Sequence, residues 1–432
     1  MATVYRRCCG VDVHKDAITV TVLPPRDRPH LEIKQRVFRT FARDLRQMRT
    51  WLGNCRVTDV AMESTGQYWR AVWNVLEGHV PHLLLLNPLH VKALQGEKTD
   101  PIDSRRIATL LEMHSLRGSF VPNQEIRELR ELMRQRVHLL EEINRVKNRA
   151  EQVCQCGNIK LSSVASDIFG VSGRRMLRAL IEGNRDPAWM ADYASSRLRS
   201  KRAQLELALE GTLSQHQRSL LATHLHHVEW LEAVVKEVEQ EVERRMLSYQ
   251  DTIRRLQTVP GIDRIAAWTI IAEVGPDASA FPDAHHLASW AGLCPGNRES
   301  GGKRLSGRAR HGNRYLIRVL CQAACASTRS RQTFLAAFYR RLRFRKGHQK
   351  AIVALAHQLL VIAYCLLSQG GEYKELGADY YERQRRPAVA RRLAERLLRL
   401  GYYVDLRDAE STAPTPHLSP PQPINDSGSP RE

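Results

Sequence analysis

The sequence lacks the cysteine patterns of disulfide-linked secreted domains and of zinc-binding proteins. It has nine cysteines, an odd number. The close pairs are Cys8–Cys9 and Cys154-x-Cys156, and neither has a second pair, of cysteines or histidines, at the spacing of a zinc site. We therefore expect reduced thiols in a cytoplasmic protein.

The sequence also lacks the apolar segments that direct a chain into a membrane. No apolar stretch typical of a signal peptide follows the first basic residues. The longest apolar run, residues 352–367, is interrupted by His357 and Gln358 and is too short to cross a bilayer, so we interpret it as a buried helix. These features predict a soluble protein without a membrane partner.

Negative charge is missing from one long segment. Between Ser300 and Gly371 there is no Asp or Glu, whereas there are fourteen Lys and Arg, and the whole chain of 432 residues has a net charge of +20. A one-signed segment favours a surface that faces phosphates, because basic groups bind polyanions by releasing their counterions. The alternative is an unspecialised basic surface.

The first part of the chain alternates strand and helix patterns. The pattern predicts strands over residues 9–23, 31–39, 57–62 and 82–86, and helices over residues 40–52, 67–76 and 102–114. This alternation is typical of an α/β domain with a mixed sheet, which we expect to end at residue 118.

After residue 118 the pattern is helical. Apolar residues at heptad-like spacing, at positions 126–143 and 228–242, predict two long helices within a region 119–250, which form an antiparallel hairpin, an intramolecular bundle or a dimerising coiled coil. A third, compact helical domain is predicted over 251–371. Residues 372–432 form a basic helix, at 387–400, and a tail whose Ser, Pro and Thr content predicts disorder from residue 409.

Four carboxylates of the first domain are candidate metal ligands. Asp12 lies within a strand that otherwise belongs in a core, where a charge is costly unless a cation compensates it. Glu63 ends the third strand, and Asp100 and Asp103 share the opening face of a helix. Acidic groups that converge in this way can hold two Mg²⁺ ions at a phosphodiester. For Asp100 and Asp103, simple helix capping is an equal alternative.

The segment around Gly261 has the form of a helix-hairpin-helix. Gly261 follows Pro260 in a turn before a predicted helix at 265–273. Such a turn can present backbone N–H groups to a phosphate oxygen without any base contact. A plain helix–helix turn is the alternative.

A serine next to two glycines is the candidate nucleophile. Ser300 precedes Gly301-Gly302, and glycines let a phosphate approach a loop closely. Basic residues that follow can hold that phosphate, and the candidates are Lys303, Arg304, Arg308, Arg310 and Arg314. Spacing alone favours a flexible anion-binding loop without a nucleophile, and Ser306 is as eligible as Ser300.

Four motifs together resemble the insertion-sequence one-ten family of transposases. They are Gly10-Val-Asp-Val-His-Lys, Met62-Glu-Ser-Thr-Gly, Lys98-Thr-Asp-Pro-Ile-Asp and Ser300-Gly-Gly-Lys, which occur in the order of the family. The resemblance runs from about residue 8 to about residue 370. The segment 123–249 and the basic tail after Glu372 exceed the family pattern.

The resemblance implies a fold and an activity. It implies a RuvC-like, ribonuclease-H-type domain with a DEDD metal site, then a coiled coil and a mainly α-helical transposase domain with a catalytic serine. Carried over, Asp12, Glu63, Asp100 and Asp103 would bind Mg²⁺ or Mn²⁺, and Ser300 would form a transient phosphoserine bond to DNA. It also implies a guide, or bridge, RNA that pairs with donor and target DNA.

Two other functions compete with an insertion-sequence recombinase. A metal-only nuclease of the Holliday-junction-resolvase type would need the first domain alone, and a non-catalytic nucleic-acid-binding protein would need only the basic surface. For the recombinase we predict a homo-oligomer, a dimer or tetramer, with a composite active site, because one phosphate must meet carboxylates and serine from different domains. Such a protein would act at the bacterial nucleoid.

Overall fold

A computed structural model describes residues 7–25, 27–63, 66–87, 100–116, 118–295, 298–300, 303–306 and 311–406. By its backbone contacts the chain divides into two units, Met1–Gln135 and Arg136–Glu432. The further division at residues 118, 250 and 371 stays a prediction.

The first unit is built on a six-stranded mixed sheet, as the alternating pattern predicts. The strands are β1 (Cys8–Val13), β2 (Ala17–Val22), β3 (Lys34–Arg39), β4 (Asp59–Glu63), β5 (His82–Leu86) and β6 (Gly118–Ser119). Their order is β3-β2-β1-β4-β5-β6. β1, β4 and β5 are parallel, whereas β2, β3 and β6 pair antiparallel to their neighbours. This arrangement is consistent with a RuvC-like domain.

The predicted strand over residues 9–23 is wrong in one respect, because it is two strands. The polar run His14-Lys15-Asp16 forms a turn, which the His14 N–H closes by donating to the Ala17 carbonyl at 3.0 Å. Asp12 is therefore the penultimate residue of β1 and lies beside this turn rather than in the middle of a strand.

The two faces of the sheet are covered by different helices. Helices α1 (Ala42–Asn54) and α2 (Trp69–Leu76) cover one face, where their apolar sides pack on alternate residues of the strands, such as Val11, Val20 and Met62. Helix α3 (Asp100–Glu112) covers the other face and packs against Cys8 and Ala61. Side chains alternate along a strand, so each residue position belongs to one face only.

Gly10 lets α3 lie directly on β1. A Cβ atom at Gly10 would lie 2.0 Å from the Ser104 carbonyl oxygen and 2.5 Å from the Ala108 nitrogen, so only glycine fits. The Thr21 and Ser104 hydroxyls hydrogen-bond at 2.7 Å, and the Gln35 amide donates to Thr21 at 2.8 Å. These contacts fix the height and the register of the helix above the sheet.

The second unit is helical. Its first helix, α4 (Gln124–Cys156), begins in the first unit and is followed by α5 (Leu161–Val164), α6 (Val171–Glu182), α7 (Pro187–Ala191), α8 (Arg202–Leu209), α9 (Gln215–Arg245), α10 (Gln250–Gln257), α11 (Arg264–Val274), α12 (Ala284–Ala291), α13 (Arg314–Ser327), α14 (Phe334–Lys346), α15 (His348–Gln369), α16 (Tyr380–Gln384) and α17 (Arg386–Arg399). Short 3₁₀ helices lie at Ser196–Lys201 and Met246–Tyr249, and β7 (Arg298–Ser300) and β8 (Lys303–Ser306) form a hairpin.

The two long helices with heptad-like spacing pack within the chain. Apolar residues of α4 and α9, such as Val146 and Val228, share one buried core with α6 and α8. Arg136 of α4 pairs with Glu239 of α9, and Lys147 pairs with Glu232 further along, so the two helices are antiparallel. The two long helices thus form part of an intramolecular bundle in which they run antiparallel, and a dimerising coiled coil stays a prediction.

The apolar run lies in α15, which is longer than the sequence indicated. Its 22 residues are, by length and composition, enough to cross a membrane. Half of its most apolar stretch is buried in the second unit, with Leu355, Leu359 and Ala363 fully inaccessible, as is usual for a core helix. The predicted basic helix is α17, and residues from 407 onward lie outside the described part of the chain.

All nine cysteines are free thiols, as the sequence predicts. Burial raises the pKa of Cys9 and raises that of Cys154 to about 12, so neither thiol ionises at neutral pH.

We predict that Gly10→Ala destabilises the first unit by at least about 2 kcal/mol, because the methyl group forces α3 away from β1. Gly53→Ala is the matched control, since nothing lies within 4 Å of a Cβ atom at that position of α1. The control should be neutral or stabilise the fold by up to about 1 kcal/mol. Urea unfolding of both variants measures the difference, and equal stabilities would contradict the proposed contact.

Candidate active site

Two of the predicted carboxylates lie at the ends of adjacent parallel strands. Val11 of β1 is in register with Met62 of β4, so Asp12 and Glu63, the next residues, follow side by side on the face that α3 covers. Asp12 is 6% exposed, and Glu63 is partly exposed. The fold thus brings together two acidic residues that are 51 positions apart in the sequence.

The start of α3 lies near the same strand ends. Ser104 and Ala108 lie over Gly10, whereas Leu111 packs with Cys8 further back, so the helix runs antiparallel to β1. Its first turn, with Asp103 partly exposed, therefore extends from Gly10 towards Asp12. The backbone of Asp100 begins the helix, and its side chain lies outside the described residues. A helix N-terminus favours neighbouring negative charge.

The buried polar residues described in the first unit lie on this one face of the sheet. Every buried polar or charged residue described in the first unit lies on the α3 side, and these residues are Asp12, Thr19, Thr21, Asp59 and Ser104. Thr19 is the cross-strand partner of Asp12 and is also buried. Buried polar groups must be satisfied by partners, so the polar interior of this face is an organised layer.

One neighbour of Asp12, the side chain of His14, was not among the predicted site residues. The His14 ring nitrogen Nε2 lies 3.1 Å from Asp12 Oδ2, and the His14 side chain is 47% exposed. The position of His14 two residues after Asp12, in the first motif, was the available signal. A histidine here can orient the carboxylate or carry a proton to and from solvent.

The donor set suits a hard divalent cation. Carboxylate oxygens are the ligands that Mg²⁺ and Mn²⁺ prefer. Among the residues that the structure describes, no group of three or more His, Cys, Asp or Glu side chains is close enough to hold a metal ion. Asp12 and Glu63 are thus the two candidate ligands that the described structure brings side by side, and the helix turn that carries Asp103 extends towards them.

Ser300 lies in a hairpin of the second unit. It ends β7 and is in register with Lys303 of β8, and Gly301 and Gly302 between them lie outside the described residues. The backbones of Lys303 and Arg304 belong to β8, whereas Arg308 and Arg310 also lie outside the described residues. The predicted loop is therefore a β-hairpin, and the roles of these side chains stay predictions.

Gly261 forms a turn between α10 and α11, where its φ is +95°. A Cβ atom there would lie 2.3 Å from the Ala323 carbonyl oxygen, so α13 packs against this turn. The Asp263 carboxylate accepts from the Ala266 N–H at the start of α11. Packing against α13 thus accounts for the glycine, Asp263 caps one N–H of the helix start, and a phosphate contact at this turn stays a prediction.

Residues 300–371 contain no Asp or Glu, but a carboxylate from another part of the chain balances some of their positive charge. Glu141 of α4 pairs with Arg318 at 2.6 Å and lies 3.9 Å from Arg314, both of α13. The Arg314 guanidinium also stacks on the Tyr315 ring at 4.8 Å. One predicted phosphate-binding residue, Arg314, and a second cation of the same segment, Arg318, therefore lie beside a carboxylate from another helix.

The uncompensated charge is concentrated where α14 meets α15. Five side chains there are exposed, and within the described residues none of them is paired with a carboxylate: Arg340, Arg343, Arg345, Lys346 and Lys350. We call these five residues the cationic corner. Phe344, in their midst, is 95% exposed, and an aromatic ring among cations is a known platform for nucleic-acid bases.

Two family models match this chain. Residues 9–155 match the model of the DEDD transposase domain of IS110 elements, described as "Transposase", and residues 253–340 match a model described as "Transposase IS116/IS110/IS902 family". Together the two matches cover more than half of the chain. The chain belongs to the IS110 family of transposases. This finding confirms the resemblance carried by the four motifs.

Curated relatives match shorter segments. The uncharacterized 43.6 kDa protein of insertion element IS110 from Streptomyces coelicolor is 35% identical over 121 residues, which is 28% of this chain and 29% of the relative. The transposase for insertion sequence element IS1328 from Yersinia enterocolitica is 30% identical over 166 residues, which is 35% of this chain and 46% of the relative. A pilin gene-inverting protein from Moraxella lacunata is 30% identical over 126 residues, covering 28% and 38%. Each match thus spans less than half of the relative.

The pairing of Glu141 yields a prediction for this IS110-family chain. Glu141→Gln should release Arg314 and Arg318 and thereby tighten the binding of duplex DNA, with the slope of log K against log salt steeper by about 1 to 2. Fluorescence anisotropy across a salt series measures both quantities. Glu142→Gln, which removes the same charge from the next residue, is the control. An equal response of the two variants would mean that net charge alone acts.

Proposed function

We propose that this chain is a DNA recombinase, the transposase of an insertion sequence, which cuts and rejoins DNA with a Mg²⁺- or Mn²⁺-dependent carboxylate site and a serine nucleophile. The observation that carries the proposal is the side-by-side position of Asp12 and Glu63 at the ends of parallel strands, with the start of α3 beside them. The membership of the IS110 family supports the same activity.

The burial of Asp12 supports a cation at this site. A carboxylate that is only 6% exposed loses most of its hydration, and a core without a function would carry an apolar residue there. Asp12, Glu63, Asp100 and Asp103 would hold the metal, which when bound would polarise the phosphodiester and stabilise the leaving oxygen. The ends of β1 and β4 position the carboxylates of Asp12 and Glu63, and His14 orients Asp12.

The serine step conserves the energy of the phosphodiester bond. The Ser300 hydroxyl loses its proton to a base and attacks phosphorus, so that one P–O bond of the DNA strand breaks and a free DNA hydroxyl leaves. A hydroxyl of the exchanging strand then attacks the phosphoserine, and Ser300 recovers its proton. One P–O bond forms for each that breaks, so no external energy source is needed.

Uncompensated positive charge supports nucleic acid as the substrate. The cationic corner presents five exposed cations without a described carboxylate partner, and such a surface binds phosphates by counterion release. The same charge accepts RNA, so a guide RNA implied by the family resemblance is compatible with it. We further propose that the protein works in the bacterial cytoplasm, where its DNA substrates lie.

We predict that Asp12→Asn lowers recombination at least about a hundredfold while the fold stays intact, because the variant loses a ligand and a buried charge but keeps the shape. Mg²⁺ should raise the melting temperature of the unmutated protein and not that of Asp12→Asn. Asp16→Asn, in the exposed turn that follows, is the matched control and should keep both properties. Strand exchange by Asp12→Asn in the presence of a chelator would remove the metal site.

A mixing experiment tests the cooperation of carboxylates and serine. If different subunits supply them to one phosphate, a mixture of Asp12→Ala and Ser300→Ala proteins should recover activity that each lacks alone. Recombination of a plasmid substrate and mass spectrometry of the covalent serine–DNA adduct are the measurements. Mixed oligomers without activity would argue that one subunit supplies both groups. A fully active Ser300→Ala protein would instead indicate a metal-only, resolvase-like nuclease.

A further inference from the structure

A groove lined by arginines lies along α1 and the edge strand β3. It encloses about 540 Å³ and is lined by Arg36, Arg43, Arg46, Gln47, Thr50 and Asn54, with Trp51 as an aromatic wall. Five of the lining residues recur at helical spacing on the exposed side of α1, namely Arg43, Arg46, Gln47, Thr50 and Asn54. Among the described residues, no carboxylate is part of the lining. The groove is therefore open, concave and positively charged.

The groove is separate from the carboxylate site. Arg36 and Phe38 lie on the α1 face of β3, where Phe38 packs in the core beneath α1. Gln35, the residue before Arg36, points to the opposite face and reaches Thr21 and Ser104. The arginines thus lie on the α1 face of the sheet, and Asp12 and Glu63 lie on the α3 face. A ligand in the groove is separated from the carboxylates by the thickness of the sheet.

Arg36 is held in place by an aromatic ring, and none of the three groove arginines is paired with a described carboxylate. The Arg36 guanidinium lies over the Phe38 ring at 4.9 Å, and that ring packs against Trp51 with 5.7 Å between centroids. In the described part of the chain, no carboxylate forms an ion pair with Arg36, Arg43 or Arg46. Stacking therefore orients Arg36 while its hydrogen-bond donors stay available.

Helix stability does not explain the position of Arg43. It is the second residue of α1, at the helix end where the partial charge of the backbone is already positive. The cap residue Phe41 provides no side-chain hydrogen bond that would offset this. The acidic residue of this turn, Asp44, already suits the helix end, and within the described residues it forms no ion pair with Arg43, so the Arg43 guanidinium can still meet an external anion.

We propose that this groove binds the phosphodiester backbone of a nucleic-acid strand. The planar, forked donors of arginine match phosphate oxygens, and the amides of Gln47 and Asn54 extend the row of donors along the helix. DNA and RNA share this chemistry. The proposal rests on the proposed function only in that both take nucleic acid as ligand, and it adds a binding surface on the side of the first unit away from the carboxylates.

The test compares two triple variants of the full chain that lose the same charge. Arg36→Gln/Arg43→Gln/Arg46→Gln removes the groove cations. Arg178→Gln/Arg202→Gln/Arg244→Gln removes three exposed arginines that are paired with carboxylates. Anisotropy is measured over a salt series with labelled duplex DNA, single-stranded DNA and duplex RNA of equal phosphate number. A chelator is present, so that binding is separated from cleavage and failure of the recombinase proposal leaves the result readable.

We expect the groove variant to reduce the slope of log K against log salt by about 2 to 3 for at least one ligand, at about 0.9 per lost phosphate contact on duplex DNA. The paired-arginine control should change the slope by less than 1. The ligand that responds identifies the strand type. Equal slopes for groove variant and control with all three ligands would overturn the proposal. Arg46→Glu, a single exposed change, gives the same comparison against Arg202→Glu if the triple variant unfolds.

Discussion

The contact of α3 with the backbone of Gly10 is the constraint on which the candidate site depends. A helix that lies directly on a strand, with Ser104 over the glycine, has its height and direction fixed by backbone atoms rather than by adjustable side chains. The hydrogen bond between Thr21 and Ser104 then sets its register. Because α3 runs antiparallel to β1, this one contact determines that the first turn of the helix is directed towards Asp12.

The rest of the site follows from ordinary rules of parallel sheets. Adjacent parallel strands end at the same edge, so Asp12 and Glu63 become neighbours once β1 and β4 are in register. The turn that follows β1 places His14 within hydrogen-bond distance of Asp12. A helix N-terminus beside acidic strand ends reduces their mutual repulsion. Carboxylates distant in sequence thus need only one sheet and one helix to meet.

The sequence predicted local elements well and spatial neighbours less well. The strand at 82–86 was predicted with its observed bounds, because a short apolar run between turn residues is typical of a buried strand. The β1–β2 hairpin was missed because β-branched residues continue on both sides of the turn. The alternation changes phase there, since the core-facing residues are Val11 and Val13 before the turn and Ile18 and Val20 after it. The balancing of Arg318 by Glu141 was out of reach, because 177 residues separate them and only packing of α13 near α4 joins them. The groove on α1 was missed for the same reason, since it needs β3 beside the helix.

One face of the sheet carries the larger apolar cluster of the first unit, and the other face carries the candidate metal ligands. On the α1 side, Val11, Val20, Met62 and their neighbours form a buried apolar cluster, whose removal from water favours folding at roughly 25 cal/mol per Å². On the α3 side, a smaller apolar cluster lies beside buried hydroxyls and carboxylates, and the desolvation of these polar groups opposes folding unless partners compensate it. A strand with two chemically different faces can carry both, because alternation assigns each residue to one side. The stability of one face therefore allows the other to keep a buried aspartate, and loss of apolar packing under α1 would disturb the carboxylates without touching them.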